Sequence, residues 1–224
     1  RDVLLDMEHE GVRFDNHAIK ELSNNLQTQK EQLQNEIFSL AGESFNISSP
    51  KQLGEILFNK LNIQGDAKAK KTRTKQFSTA EDVLLKLKDK NPIIEKVLDY
   101  REITKLKNTY VDALPNLVDK QTGKIHTTFN QTVTATGRLS SNNPNLQNIP
   151  IRTERGKEIR KAFVASDSNH LLLSADYSQI ELRIIASMSG DEHLCNEFAL
   201  NHDIHKATAA KIYNVPLEEV TKQM

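Results

Sequence analysis

Between residues 15 and 41 the apolar side chains Ile19, Leu22, Leu26, Leu33, Ile37 and Leu40 recur at spacings of three, four and seven. That interval keeps returning to one side of a helix, so the segment predicts a single long amphipathic helix with one apolar stripe. Gly42 follows as a plausible stop. A stripe of that length needs another apolar face to cover it. Residues 92–113 offer one, with Ile93, Val97, Tyr100, Ile103, Leu106 and Tyr110 on one side. Two shorter helical starts lie between. Ser49 reads as an N-cap, with Pro50 at the first helical position and Gln52 completing a capping box. Ser78 and Glu81 form a second box, opening a helix through about residue 89. The first half therefore reads as antiparallel helices joined by a charged tip.

The second half changes character. "GKIHTTFNQTVTATGRLS" (123–140) is rich in Thr and Val and reads as extended chain, and "SSNNPNLQNIP" is turn chemistry. "HLLLSA" is a short continuous apolar run, as in a strand covered on both faces. A helix follows, with Ile180, Ile184, Ile185 and Met188 along one side and Gly190 at its end. Another covers about 203–213, and Pro216 breaks it before a last helical start at "LEEV". The expected fold class is α+β, a helical arm on an incomplete α+β body.

Charge bears on partners. The 224 residues sum to a net charge of +0, which argues against nonspecific polyanion binding, but the distribution is uneven. Residues 120–161 hold eight Lys or Arg against two acids, and "KAKKTRTK" (68–75) holds five basic residues and no acid. Such clusters suit a polyanion held on one face, or equally a solvated loop. No apolar run approaches the roughly 20 residues needed to span a bilayer, and no signal peptide is evident. The single Cys195 excludes an internal disulfide, fits a reducing compartment and reads as a small buried side chain. The chain starts without Met and stops inside a helical pattern, as if cut from something longer.

The chemistry concentrates in "LLLSADYSQIELR" (171–183). Asp176 falls where the apolar run ends, so its backbone would be held while its side chain emerges. A carboxylate there is costly unless cations or donors compensate it. Glu181 falls in the first turn of the next helix, where the dipole favours negative charge. Spacing alone does not separate a functional pair from a helix cap and a first-turn acid.

"DYSQIELR" (176–183) resembles motif A of the family A DNA polymerases. "TATGRLSSNNPNLQNIPIR" (134–152) resembles the segment upstream of that motif, and "DIHKATA" (203–209) the segment after it. "YREITKLKNTY" (100–110) and "EHEGVRFD" (8–15) also resemble family A, at the thumb and just before it. The resemblance covers essentially the whole chain in unbroken order. It implies a right-hand architecture: a lead-in helix and palm entry over 1–22, a helical thumb with a basic tip over 23–118, and the first half of the palm over 119–224, with fingers, motif B and motif C absent.

The resemblance also implies roles. Asp176 would bind metal, helping to hold two Mg2+ ions, with the carbonyl of Tyr177 as a further ligand. Two cations stabilise the attacking and leaving oxygens of a primer 3′-hydroxyl displacing pyrophosphate. Glu181 would exclude the 2′-hydroxyl of a ribonucleotide, although its usual tyrosine partner lies outside this sequence. Ser178, Gln179 and Ile180 would line the dNTP pocket, largely through backbone, and His205 would stand near the triphosphate. Helix capping or packing serves His205 nearly as well. Arg138, Asn145, Gln147, Asn148 and Arg152 would approach the primer-template duplex DNA, Arg138 from the minor groove, whose acceptors are shared by every correct pair. Turn formation alone would also explain Asn145 and Asn148. Arg101 and Lys105, four apart on one helix face, match thumb residues near the duplex backbone, with solvated surface as the alternative. The basic tip would lie along the minor groove.

The expectation is a fragment of a monomeric, cytoplasmic DNA-directed DNA polymerase, with no membrane partner, that is inactive alone because one carboxylate cannot assemble a two-metal site. A duplex-DNA clamp without chemistry is the alternative. A single-subunit RNA polymerase fits less well, because Glu181 would reject its substrate.

Overall fold

In the computed structural model, residues 1–63, 76–200 and 202–221 are described. The basic tip at 68–75 lies outside them. The chain divides into two compact units, Arg1–Leu172 and Leu173–Met224.

The first unit opens with helix α1 (Asp2–Glu10). Gly11 follows at φ 62, and a Cβ there would stand 2.7 Å from His126 Nδ1 and 2.8 Å from the Ile125 carbonyl oxygen. Only glycine permits both the turn and that approach. Strand β1 (Val12–Phe14) then forms the middle of a three-stranded antiparallel sheet, between β2 (Lys124–Ile125) and β5 (Phe163–Val164). Val12 pairs with Ile125 and Phe14 with Phe163, so both partners come from more than a hundred residues along the chain. The Phe14 and Phe163 rings meet edge to face at 5.1 Å.

The helical arm grows from β1. Helix α2 (Asn16–Ala41) starts where the Asp15 carboxylate accepts from the His17 and Ala18 N–H groups, and it ends at Gly42 in the left-handed region. Its buried stripe is Ile19, Leu26, Leu33, Ile37 and Ala41; Leu40 is 40% exposed and the adjacent Ala41 turns inward instead. Helix α3 (Pro50–Gly54) begins under the Ser49 cap and continues as a wider π-helical turn, Glu55–Lys60. Gln52 reaches back to the Asn46 N–H at 2.7 Å. The box at Ser78 is not built. Helix α4 (Glu81–Leu85) is short and has no side-chain cap, because Thr79 and Ala80 are drawn into an extended segment that Arg101 holds.

Helix α5 (Pro92–Leu106) is capped by Asn91 and runs on through a π-helical turn, Lys107–Val111. Glu36 of α2 meets Lys96 at 2.7 Å, whereas Ser23 meets Lys107 at 2.7 Å and Asp112 at 2.9 Å. The two long helices are therefore antiparallel, as the periodicity predicts. One core runs from Phe14 through Leu26, Leu57, Val97 and Leu114 to Ile125 and Ile159, so the arm and the sheet share a single apolar interior. Of the stretch expected to be extended, only β2, β3 (Thr128–Asn130) and β4 (Ser140–Asn142) form strands; β3 and β4 pair, and 131–139 is turn and irregular chain. Helix α6 (Glu154–Lys161) starts at Thr153.

In the second unit α7 (Ile180–Ser189), α8 (Glu192–Ala199) and α9 (Ile204–Tyr213) enclose a small core of Ala186, Phe198 and Ile204, with Leu182 and Leu194 partly covered. The Arg183 guanidinium lies 4.5 Å over the Phe198 ring. The expected apolar side of α7 is not the packed one. Ile184, Ile185 and Met188 are exposed, and Leu182 and Ala186 face the core. Cys195 is exposed rather than buried. The "LEEV" start forms a single 3₁₀ turn, Leu217–Glu219. No helix among the described residues is long and apolar enough to cross a membrane.

Candidate functional site

The predicted strand before Asp176 does not form. Residues 170–177 are irregular, and Leu171 and Leu173 are 94% and 92% exposed. A continuous apolar run becomes a strand only when other strands satisfy its N–H and C=O groups. None among the described residues pairs with it. Asp176 is accordingly exposed at the end of an open segment, and Tyr177 beside it is 79% exposed.

The chain then turns sharply. Gln179 occupies the left-handed region at φ 52, ψ 39, which costs a non-glycine residue roughly 1–2 kcal/mol. Side-chain hydrogen bonds hold the turn. Arg183 Nε donates to the Ser178 carbonyl at 2.9 Å, and Gln179 Nε2 donates to Asp203 Oδ1 at 3.1 Å. Ile180 and Glu181 open α7, with Glu181 in the first turn. Asp203 also accepts from the His205 N–H at 2.8 Å and the Lys206 N–H at 3.2 Å, capping α9. These bonds, that from Lys206 first, hold its carboxyl below the usual aspartate value. His205 is exposed and lines, with Lys206 and Thr208, an open groove of about 700 Å³. Arg183 and Asp203 were not singled out from the sequence. The helical start at 203 was visible, and its cap could have been read from Asp203 itself.

In the first unit the expected duplex contacts differ in their exposure. Arg101 is half-buried: its guanidinium donates to the Thr79 carbonyl and, at 3.0 Å, to Thr79 Oγ1. Burial presses its pKa below the usual arginine value. Lys105, one turn on, is exposed. Both line an open recess of about 540 Å³ with Ser78, Tyr100 and Thr104. Gln147 is used internally, accepting from the Ser141 N–H at 3.1 Å and donating to the Leu139 carbonyl at 3.3 Å. Asn145 Oδ1 accepts from the Gln147 N–H at 3.0 Å and from Ser141 Oγ at 3.3 Å. The Asn148 carbonyl accepts from Tyr110 Oη at 2.5 Å, tying this loop to the end of the arm. Arg138, Asn148 and Arg152 are exposed. Among the described residues, no three His, Cys, Asp or Glu side chains group as a metal site.

The turn–helix at 176–183 and the loop at 134–152 thus stand in one chain with the helical arm, and sequence comparison decides what that combination is. Residues 16–224 match the family model described as DNA polymerase family A. The chain belongs to that family. It is 50% identical over 222 residues to the thermostable DNA polymerase I of Thermus thermophilus, and 47% identical over 222 residues to DNA polymerase I of Bacillus subtilis. Each alignment covers 99% of this chain but only 26% and 25% of the relative, so the family A chain spans about a quarter of the length of these curated proteins. Its fold is similar to the solved polymerase domain of Pol1 from M. smegmatis, described as a complex with DNA primer-template and dNTP. The TM-score is 0.86 and the identity 42%, covering 98% of this chain and 38% of the other.

Proposed function

We propose that this chain is the thumb (23–118) and first half of the palm (119–224) of a template-directed DNA polymerase that adds deoxynucleotides to a primer 3′-end, with 1–22 as the entry to the palm. The observation that carries the reading is the likeness, at 42% identity over 98% of the chain, to a polymerase domain described with primer-template and dNTP.

Within that reading Asp176 and the Tyr177 carbonyl supply hard oxygen ligands for Mg2+, which commonly binds through one or two carboxylates plus substrate phosphates. The exposure of Asp176 fits a group that meets its cation from solvent. When bound, the metal ions supply charge stabilisation to the attacking and leaving oxygens. The chain's own residues orient the nucleotide. Ser178, Gln179 and Ile180 line its site through backbone, Glu181 occupies the space a 2′-hydroxyl would need, and His205 stands near the triphosphate. Arg138, Asn148 and Arg152 project toward duplex DNA, with Asn145 and Gln147 shaping the loop that carries them. Lys105 contacts the backbone, and Arg101 supports that surface. Asp176 and the Tyr177 carbonyl do not by themselves complete a two-metal site, so residues 1–224 on their own are expected not to extend a primer.

Primer extension by the full-length parent and by its Asp176→Ala variant tests the proposal. Extension should fall by several orders of magnitude while a gel shift with duplex DNA persists. Undiminished extension would overturn the assignment of Asp176. The parent's Glu181→Ala variant should incorporate ribonucleotides more readily; unchanged exclusion would remove that residue from the sugar gate.

A further inference from the structure

Gln179 stands at the N-terminal boundary of α7 yet makes no side-chain cap to its own helix. Its amide goes elsewhere. Nε2 donates to Asp203 Oδ1 at 3.1 Å, and Oε1 accepts from the Ile204 N–H at a long 3.5 Å. It therefore supplements the cap of another helix, α9, across 24 residues of sequence. The same residue carries a left-handed backbone that a side chain ordinarily avoids, so the tether and the turn occur together. Asp203 spends one oxygen on three donors: the His205 and Lys206 N–H groups and the Gln179 amide. Hydrogen bonds, that from the Lys206 N–H first, keep that carboxyl below its usual range, which favours the ionised acceptor.

The two ends of this tether are the two segments with which the proposed function handles the nucleotide. One is the turn bearing Asp176, Tyr177 and Glu181. The other is the α9 start bearing His205. Arg183 Nε, bound to the Ser178 carbonyl, secures the turn from the opposite end. An orientation error of about 1 Å in such a site can cost about a hundredfold in rate.

Building on the proposed polymerase reading, we propose that Asp203 is a positioning residue. Through the Gln179 side chain it fixes the separation of the metal-binding turn and the His205 helix, and so sets nucleotide affinity without touching the nucleotide. The Gln179 side chain is committed to this brace, and only its backbone faces substrate.

A double-mutant cycle in the full-length parent tests this by single-nucleotide insertion, with Gln179→Met, Asp203→Ala, the double variant and Asp203→Asn. Each of the first two should lower kcat/KM about tenfold, chiefly through a higher KM for dNTP, and the double variant should lose no more than either alone. Asp203→Asn keeps an oxygen for all three donors and should recover to within about twofold. Losses that multiply to about a hundredfold would overturn the brace. So would an Asn variant as impaired as Ala, or a drop in melting temperature with kcat/KM unchanged. The parent's Asp176→Ala variant, run alongside, separates the two claims. If it retains full activity, the polymerase site itself is misassigned; if it is dead and the cycle multiplies, only the brace falls.

Discussion

Arg101 offers a direct contest between the role its sequence position implies and the one its contacts describe. A phosphate-binding arginine would keep its guanidinium in solvent, yet this one is half-buried and donates twice to Thr79, a residue 5% exposed. Arg101→Ala would leave a shielded carbonyl and hydroxyl without their partner. A hydrogen bond to a charged group is worth about 1.5–3 kcal/mol. The two here share one guanidinium that pays a desolvation cost, so their sum is less than double, about 2–4 kcal/mol. Arg101→Lys keeps the charge but not the planar fork that meets both acceptors, and should recover about half of that loss. Urea unfolding of this chain at neutral pH, followed by helical circular dichroism, measures the difference. A variant within about 0.5 kcal/mol of wild type, the range of ordinary surface substitutions, would refute the brace. Binding gives the reciprocal test. If Arg101 met a phosphate, its loss would reduce the salt dependence of duplex affinity by about one unit of slope at unchanged stability. Lys105→Ala should show that pattern and Arg101→Ala should not.

Two further outcomes follow from packing and charge. Gly156→Ala would set a Cβ 2.6 Å from Pro150 Cβ and 3.0 Å from its carbonyl carbon, so the loop before α6 must move; a cost of about 1–3 kcal/mol is expected, and an unchanged melting temperature would show that the approach is looser than described. Asp119 is held below its usual value of 3.8, first by the Thr122 N–H and then by that of Gln121, so its folded pKa is depressed and its contribution is present above that value and lost as pH falls through the folded pKa. The stability gap between wild type and Asp119→Ala should be full at neutral pH and close below pH 3.8; a gap that persists into strong acid would contradict the sign.

Much of the arm was legible because its signals are local. The α2 stripe and the Gly42 stop, the Ser49 cap and the Pro92 start each depend on backbone and side-chain groups within about four residues, and those groups are adjacent in sequence. The failures share a cause. Residues 171–173 have strand composition, but composition cannot provide the neighbouring strand that would satisfy their backbone. On α7 both sides carry apolar residues, so periodicity could not say that Leu182 and Ala186, rather than Ile184 and Ile185, meet the core. The Ser78 box failed because a residue 22 positions away captured Thr79.

By itself the sequence determined where α2 begins and ends and where α5 begins, though not that α5 gives way to a π-helical turn after Leu106, and it carried the ordered motifs that mark family A. Tertiary structure alone decided that Val12 pairs with Ile125 and Phe14 with Phe163, that Arg101 serves Thr79, and that Gln179 reaches Asp203. Helix caps and periodicity are near-neighbour energies, readable one turn at a time. Sheet register and long-range side-chain bonds form only after the loops between them close, and their energy depends on which groups that closure brings together.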